Sequence, residues 1–365
     1  MPRPLSVVLL GYGLGGRVFH APLIAATPAL SLDAIVTRNP DRQREAQAAY
    51  PGAAVLDTAE AAWAGSFDLA VISTANVTHV AYAQAALGAG MHVVLDKPIA
   101  ATATDAQGLA DLAADRGRLL VPYQNRRWDS DFLTAESIAA SGRLGVIHRF
   151  ESRIERMRVV PKAGWRESVD PEDMGGVLYD LGAHLVDQAV RFMGPVTSVA
   201  ASVRTVRPPA ATDDDVTVML EHVSGGVSVL TVSLCGAFAG PRLTVLGTGG
   251  GLRIQASDSQ EAALVAGLRP QPGTPWGVEP AGTEAVLREY DDQSVASETL
   301  VPLEDGRWPG FYPAVATAIV GGGPVPVQVG DVVADLRVLD AARESATRGT
   351  RVSLVPPAGH GPSSG

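Results

Sequence analysis

Along the first third of the chain, short runs that are apolar almost throughout alternate with segments of helical character. The runs are Leu5–Leu10, Leu32–Val36, Val55-Leu56, Phe67–Ser73, Met91–Leu95 and Leu119–Pro122. A strand without polar alternation is buried on both faces, and strand–helix–strand repetition joins parallel neighbours. The intervening segments carry their own punctuation. Asn39-Pro40-Asp41 reads as N-cap, first-turn proline and first-turn acid of a helix. Val77–Ala89 reads as a helix closed by Gly90, and Thr104–Arg116 as an amphipathic one. Pro22 is expected to end or kink the first helix early. Residues 1–124 are therefore expected to form one α/β domain, a parallel sheet covered by helices on both faces.

After residue 124 the rhythm changes. Asp129–Ala140 and Gly175–Met193 read as helices. Gly145–Met157 reads as a long strand in which Ile147, Arg149, Glu151 and Arg153 alternate with Val146, His148, Phe150 and Ser152. Val216–His222 and Val227–Leu234 flank Ser224-Gly225-Gly226, while Arg242–Leu246 and Leu252–Gln255 flank a second glycine turn. Both pairs predict hairpins, and hence a large, mainly antiparallel or mixed sheet with one covered face. Residues 256–308, rich in Pro, Gly and charge, read as loops with short pieces of structure. Pro309–Val320 and Asp331–Thr347 read as terminal helices. An α+β domain for substrate binding and oligomerisation is placed at 125–352, and a flexible tail at 353–365.

The loop Gly11-Tyr12-Gly13-Leu14-Gly15-Gly16 follows the first apolar run. A strand, then G-x-G-x-x-G, then a helix is the dinucleotide fingerprint of a Rossmann domain. Gly11 permits the tight turn, Gly13 lets the backbone approach a pyrophosphate, and Gly16 lets helix and strand pack closely. The helix start, around Leu14, offers free N–H donors to the phosphates. The second strand ends in Thr37-Arg38 where the NAD version carries an acid for the ribose hydroxyls. A hydroxyl and an arginine suit a 2′-phosphate, so NADP(H) is expected over NAD(H). Asp33 is the rival ribose ligand, at the entrance end of its strand.

Two stretches carry catalytic chemistry. Lys97 follows a strand directly, at the carboxyl end where open parallel sheets bind ligands, and Pro98 holds it out of helix. Asp180 and His184 are four apart, on one helix face if the segment is helical. Histidine suits general acid/base work near neutral pH, and a nearby carboxylate orients it. Gly182 between them leaves room for a ligand to approach, and Asp187 lies on the same side. Arg126, Arg127, Lys162, Trp165 and Arg166 either line a pocket for a polyhydroxylated or carboxylated substrate or form structural ion pairs and core packing. Asp213-Asp214-Asp215 reads as a turn into a strand rather than a metal run, and no metal site is expected. His20 and His92 read as structural, and Arg149, Glu151 and Arg153 as a solvated or subunit-facing sheet surface.

These stretches together resemble the glucose–fructose oxidoreductase / inositol dehydrogenase (Gfo/Idh/MocA) family. The resemblance rests on Gly11–Gly16, on Ser73-Thr74-Ala75-Asn76-Val77-Thr78-His79, on Ala89-Gly90-Met91-His92-Val93-Val94-Leu95-Asp96-Lys97-Pro98, and on Gly175–Asp187. Gly-Arg-Val-Phe-His-Ala-Pro at 16–22, Gln-Asn-Arg-Arg-Trp-Asp-Ser-Asp-Phe at 124–132 and Pro-Lys-Ala-Gly-Trp-Arg at 161–166 point to the branch of NADP-dependent scyllo-inositol dehydrogenases. Two positions depart from the family pattern: Asp96 stands where Glu is usual, and Ala75 where Pro precedes the asparagine. The resemblance implies that His184 takes the proton from a substrate hydroxyl and that Lys97 holds the oxygen electrostatically. It implies that Asp180 binds a neighbouring hydroxyl or orients His184, and that Thr74, Asn76 and His79 belong to the cofactor loop. The expected activity is NADP-dependent hydride transfer to or from a secondary alcohol of a sugar, inositol or related polyol. Two rivals on the same fold are a catalytically silent dinucleotide-binding regulator and an NAD-assisted lyase or hydrolase.

The bulk numbers set outer bounds. At 365 residues, 46% hydrophobic and 19% charged, the chain is long enough for two cores. A net charge of −10 argues against a nucleic-acid partner. No stretch has the length of a membrane span, and Leu5–Leu10 is too short for a signal peptide's apolar core. A cytoplasmic location is expected, without nucleic-acid or membrane partners. The single cysteine, Cys235, allows no internal disulfide and reads as a buried structural thiol. The one-sided sheet predicts a homo-oligomer, a dimer or tetramer.

Overall fold

The computed structural model describes residues 3–161, 164–291 and 293–355. They fall into two compact units: Met1–Asn125 with Ser259–Gly277 and Arg307–Val333, and Arg126–Asp258 with Val278–Gly306 and Ala334–Gly365. Two segments expected in the second domain thus group with the first.

In the first unit the apolar runs become β1 (Leu5–Leu10), β2 (Leu30–Val36), β3 (Ala54–Leu56), β4 (Leu69–Ile72), β5 (His92–Leu95) and β6 (Leu120–Pro122). All neighbours are parallel, in the order β3-β2-β1-β4-β5-β6. This is the doubly wound order, with its switch point between β1 and β4, where such sheets bind ligands. The register of β1 against β2 slips between Val7 and Val8, opposite Asp33. Asp33 accepts hydrogen bonds from Ser6 and Ser31 and is spent within the sheet. The helices include α1 (Ala21–Ala25), α2 (Pro40–Ala49), α3 (Ala59–Trp63), α4 (His79–Gly88) and α5 (Ala103–Asp115). The Asn39 side chain accepts from the amides of Asp41 and Arg42, the cap that the Asn-Pro-Asp sequence predicts. Pro22 sits in the first turn of α1 and does not end the helical segment; instead the residues before it, Gly15–His20, form a wider π-type turn.

The second unit opens with α6 (Ser130–Ala140), β7 (Ile147–Glu155) and α7 (Ala183–Met193). There follow β8 (Val196–Arg204), β9 (Asp215–His222), β10 (Val227–Ser233), β11 (Leu243–Gly247), β12 (Gly250–Ile254), β13 (Ala285–Tyr290), β14 (Ala296–Val301) and β15 (Val352–Ser353). Their order is β14-β13-β12-β11-β7-β10-β9-β8-β15, antiparallel except for the β10–β7 pair. The alternation along β7 is realised. Phe150 and Ser152 are buried, and on the other face Glu151 is ion-paired with Arg153 at 2.6 Å and Arg149 at 3.7 Å. α7 buries Leu185, Val186 and Ala189, and Phe192 packs on Phe150 with ring centroids 4.9 Å apart.

Three expectations change here. The stretch read as loops contains the β13–β14 hairpin and a short helix, α8 (Gln260–Val265). Residues Ala296–Leu300 are exposed on an edge strand, so no apolar alternation marks them. Cys235 is half-buried just past the end of β10, bridged to Met157, rather than in the core. Most of the tail lies outside the described residues, while Ser353 pairs in β15. The last helices are α9 (Phe311–Gly321) and α10 (Val329–Arg348). Among the described residues no helix is long and apolar enough to cross a membrane.

Candidate active site

The carboxyl ends of β2, β1, β4 and β5 are laced together at Gly11, Ser73 and Asp96. Gly11 N donates to Val36 O (3.0 Å), Ser73 N to Leu10 O (2.8 Å) and Asp96 N to Ile72 O (2.9 Å). The fingerprint glycines then divide their work. Gly11 has φ 92°, and a Cβ there would strike the Ser73 carbonyl oxygen. A Cβ on Gly16 would strike the Gly11 carbonyl oxygen, so these two serve loop and helix packing. Gly13 is different: a side chain there would meet only the Arg42 guanidinium, at 3.9 Å. Its backbone is open to a ligand, as pyrophosphate approach requires. Leu14 keeps its side chain half exposed and starts the π-type turn.

Around this loop the polar groups are sorted. Thr37 is buried, and Arg38 is exposed at the end of β2. Arg42, in the first turn of α2, is the cation the sequence reading passed over. It lies beside Gly13, exposed, and makes no ion pair among the described residues. The available signal was its place in the first turn of the helix that follows the Thr37-Arg38 strand end. Thr74 and Thr78 share a hydroxyl hydrogen bond of 2.7 Å, and Asn76 is buried in the turn between them. His79, buried at the start of α4, donates from Nδ1 to Pro98 O (2.8 Å). Burial lowers its pKa and keeps it neutral, so it ties that turn to the segment after Lys97.

Asp96 is the hub of the β5 end. Its Oδ2 accepts from Ser73 Oγ (2.9 Å) and His20 Nε2 (3.4 Å), and its Oδ1 from the amide of Lys97 (2.9 Å). Burial acts to raise the Asp96 carboxyl. The hydrogen bond from His20 and the cationic groups around it, Lys97 among them, more than offset this and hold it at about 2. An ionised carboxylate only accepts, so His20 Nε2 is the donor in that bond. The Tyr312 hydroxyl on α9 meets His20 Nδ1 at 2.6 Å, and burial pushes its pKa well above the usual range. His20 is fully buried against Tyr123. It bonds Asp96, whose other oxygen takes the backbone amide of Lys97, half-buried at the strand end.

In the second unit, Leu178–Gly182 forms another π-type turn leading into α7. Single-turn π-bulges are rare and concentrate at functional sites. Asp180 lies in this turn, and His184, buried, in the first turn of α7. Arg166 Nε donates to Asp180 Oδ2 at 2.7 Å and its guanidinium stacks on Trp165, 4.3 Å from the ring centroid. Asp180, Trp165 and Arg166 are thus brought together. Gly182, between Asp180 and His184, is buried, and a Cβ there would make ordinary contact with Leu178 Cδ1 at 3.4 Å. Asp187 is held by two-pronged contacts from buried Arg127 (2.6 to 3.1 Å), so both are structural. Arg126 is bound to Asp129 at 3.2 Å. Lys162 lies outside the described residues. Asp213 and Asp214 are buried acceptors, of the Leu178 amide (2.7 Å) and of Arg207 (2.9 Å). Among the described residues no group of His, Cys, Asp and Glu is arranged to hold a metal ion.

Known proteins sharpen the picture. Residues 5–124 match the oxidoreductase family model with an NAD-binding Rossmann fold, and residues 132–253 match the GFO/IDH/MocA C-terminal domain. The chain is 35% identical over 356 residues to the uncharacterized oxidoreductase YdgJ of Escherichia coli, covering 97% of this chain and all of that one. It is 31% identical over 356 residues to the scyllo-inositol 2-dehydrogenase (NADP(+)) IolW of Bacillus subtilis, covering 96% of each. Among solved structures, yvaA from Bacillus subtilis superposes with a TM-score of 0.90 at 30% identity, over 97% of this chain and 99% of that one.

Proposed function

The chain belongs to the GFO/IDH/MocA oxidoreductase family, and within it we propose an NADP-dependent dehydrogenase acting on a secondary alcohol of a sugar, inositol or related polyol. The observation that carries the cofactor choice is the loop at Gly13, open to a ligand and flanked by Arg42, after a strand that ends in Thr37-Arg38 with no acid. Gly11, Gly13, Leu14 and Gly16 would hold the pyrophosphate, Thr37, Arg38 and Arg42 the 2′-phosphate, and Thr74 and Asn76 the nicotinamide side. His79 supports that side from behind. The similarity to an NADP(+)-dependent scyllo-inositol 2-dehydrogenase favours the same reading.

Bound nicotinamide supplies or accepts the hydride. The protein supplies proton handling and charge. His184 takes the proton of the substrate hydroxyl, a step suited to imidazole near neutral pH. Lys97, its backbone fixed by Asp96, stabilises the negative charge that develops on oxygen. Asp180, oriented by Arg166, accepts a hydrogen bond from a neighbouring hydroxyl.

Equilibrium titration of NADPH and NADH tests this. NADPH is expected to bind at least tenfold more tightly, and Arg38→Ala and Arg42→Ala each to weaken NADPH while leaving NADH within about twofold. Each lost charge-assisted contact is worth about 1.5–3 kcal/mol, a factor of ten or more. Equal binding of both cofactors would refute the 2′-phosphate assignment. With whichever polyol or sugar the native chain turns over, Lys97→Ala and His184→Ala are each expected to lose at least a hundredfold in kcat, the scale of a lost electrostatic stabiliser and of a lost general base.

A further inference from the structure

The second unit holds a cleft, open to solvent, in which four arginines converge beside Asp180. Two of the four are already committed. Arg166 bonds Asp180, and Arg207 is spent on Asp214 (2.9 Å), Glu167 (3.4 Å) and the carbonyl oxygen of Arg158 (2.9 Å). The other two, Arg156 and Arg158, have no side-chain hydrogen bond and no ion pair among the described residues. Their placement is built into the backbone. Beyond the end of β7 the chain stays bonded to the end of β10 although the register slips: Arg156 N donates to Ser233 O and Arg158 N to Leu234 O, both at 2.9 Å. Both side chains line the cleft, while Met157 between them is exposed and bridges to Cys235.

The cleft also holds Glu167, beside Arg207, and Asp213, beside Arg343, so its carboxylates are engaged by other groups while Arg156 and Arg158 bond none of them among the described residues. The pKa of Arg158 is lowered by burial and then by the charges of Arg156, Arg166 and Arg207, which outweigh the opposing effect of Asp180. Asp180 is already bonded to Arg166. Like charges gathered in a partly desolvated cleft repel one another, and an anion between them reverses the sign. Guanidinium forks match the oxygens of carboxylate and phosphate.

We propose that the substrate is anionic, a sugar or polyol carrying a carboxylate or phosphate, and that Arg156 and Arg158 bind that group while the reacting carbon lies by Asp180. The assignment rests on the dehydrogenase reading of Asp180 for its second half only; the anion site stands on the cleft itself. It names a substrate class that a neutral inositol does not satisfy.

Calorimetric titration of the full chain with NADP+ present tests it, using D-glucuronate, D-glucose 6-phosphate and D-glucose as probes. At least one anionic probe is expected to bind ten times or more tightly than glucose, with an affinity that falls as salt rises. The tighter of the two tells carboxylate from phosphate. Arg156→Gln and Arg158→Gln are each expected to weaken that probe tenfold or more, with Arg158→Lys recovering part of the loss and thermal melts confirming that each variant folds. Glucose binding as well as the anions, no binding by either anion, or unchanged affinity in both glutamine variants would overturn the proposal. The two readings fail separately. Tight NADPH binding with arginine-independent turnover of neutral polyols removes the anion site and keeps the dehydrogenase. Arginine-dependent anion binding without NADPH binding does the reverse.

Discussion

Asp96 ties the end of β5 together: its one carboxylate accepts from Ser73, from His20 and from the amide of Lys97. The sequence shows Asp96 beside Lys97 but gives no sign that His20 and Tyr312, 292 residues apart, complete the set. A carboxyl held at about 2 against 3.8 contributes on the order of 2 kcal/mol. Because the folded value is the lower, that contribution is full above about pH 4 and is lost as pH falls toward 2. Urea unfolding at stepped pH is expected to show this acid limb, and Asp96→Asn to flatten it. Tyr312→Phe leaves His20 Nδ1 buried and unpaired, at a cost of about 1–3 kcal/mol, read as a lower urea midpoint with an unchanged slope.

Both candidate sites lie on helices that begin with a π-type turn, Gly15–His20 before α1 and Leu178–Gly182 before α7. Local sequence predicted helices over both stretches, and the i,i+4 spacing of Asp180 and His184. It did not predict the widened turns, because an i→i+5 pattern depends on how the helix start packs and not on propensity. The cap of α2 is the opposite case. Asn39, Pro40 and Asp41 act within their own turn, and that local chemistry was legible. Asn39→Ala is expected to destabilise the fold by about 1 kcal/mol, measurable by chemical denaturation. Since this cap sits one residue after Arg38 and orients the turn carrying Arg42, the same variant is expected to weaken NADPH more than NADH. The β13–β14 hairpin escaped because an exposed edge strand has no apolar face to advertise it.

At the scale of the whole molecule, the large sheet carries ion-paired Arg149, Glu151 and Arg153 on the face away from Phe150. We propose that this face pairs with a second copy. Light scattering is expected to give twice the chain mass, and a monomer would refute it. By itself the sequence determined what nearest-neighbour chemistry controls: the doubly buried parallel strands, the glycine loop, the cap of α2, the β9–β10 and β11–β12 hairpins of the second sheet and the identity of Lys97, Asp180 and His184 as groups with usable chemistry. Only the tertiary structure decided which side chains were already spent. Arg127 and Asp187 neutralise each other, Asp33 is consumed by two serines, and His79 holds a loop, while Arg42, Arg156 and Arg158 have no ion pair among the described residues. The physical reason is that a residue's type sets what it can bond, whereas its partners come from segments far along the chain. Whether a charge is free to meet a ligand depends on those partners.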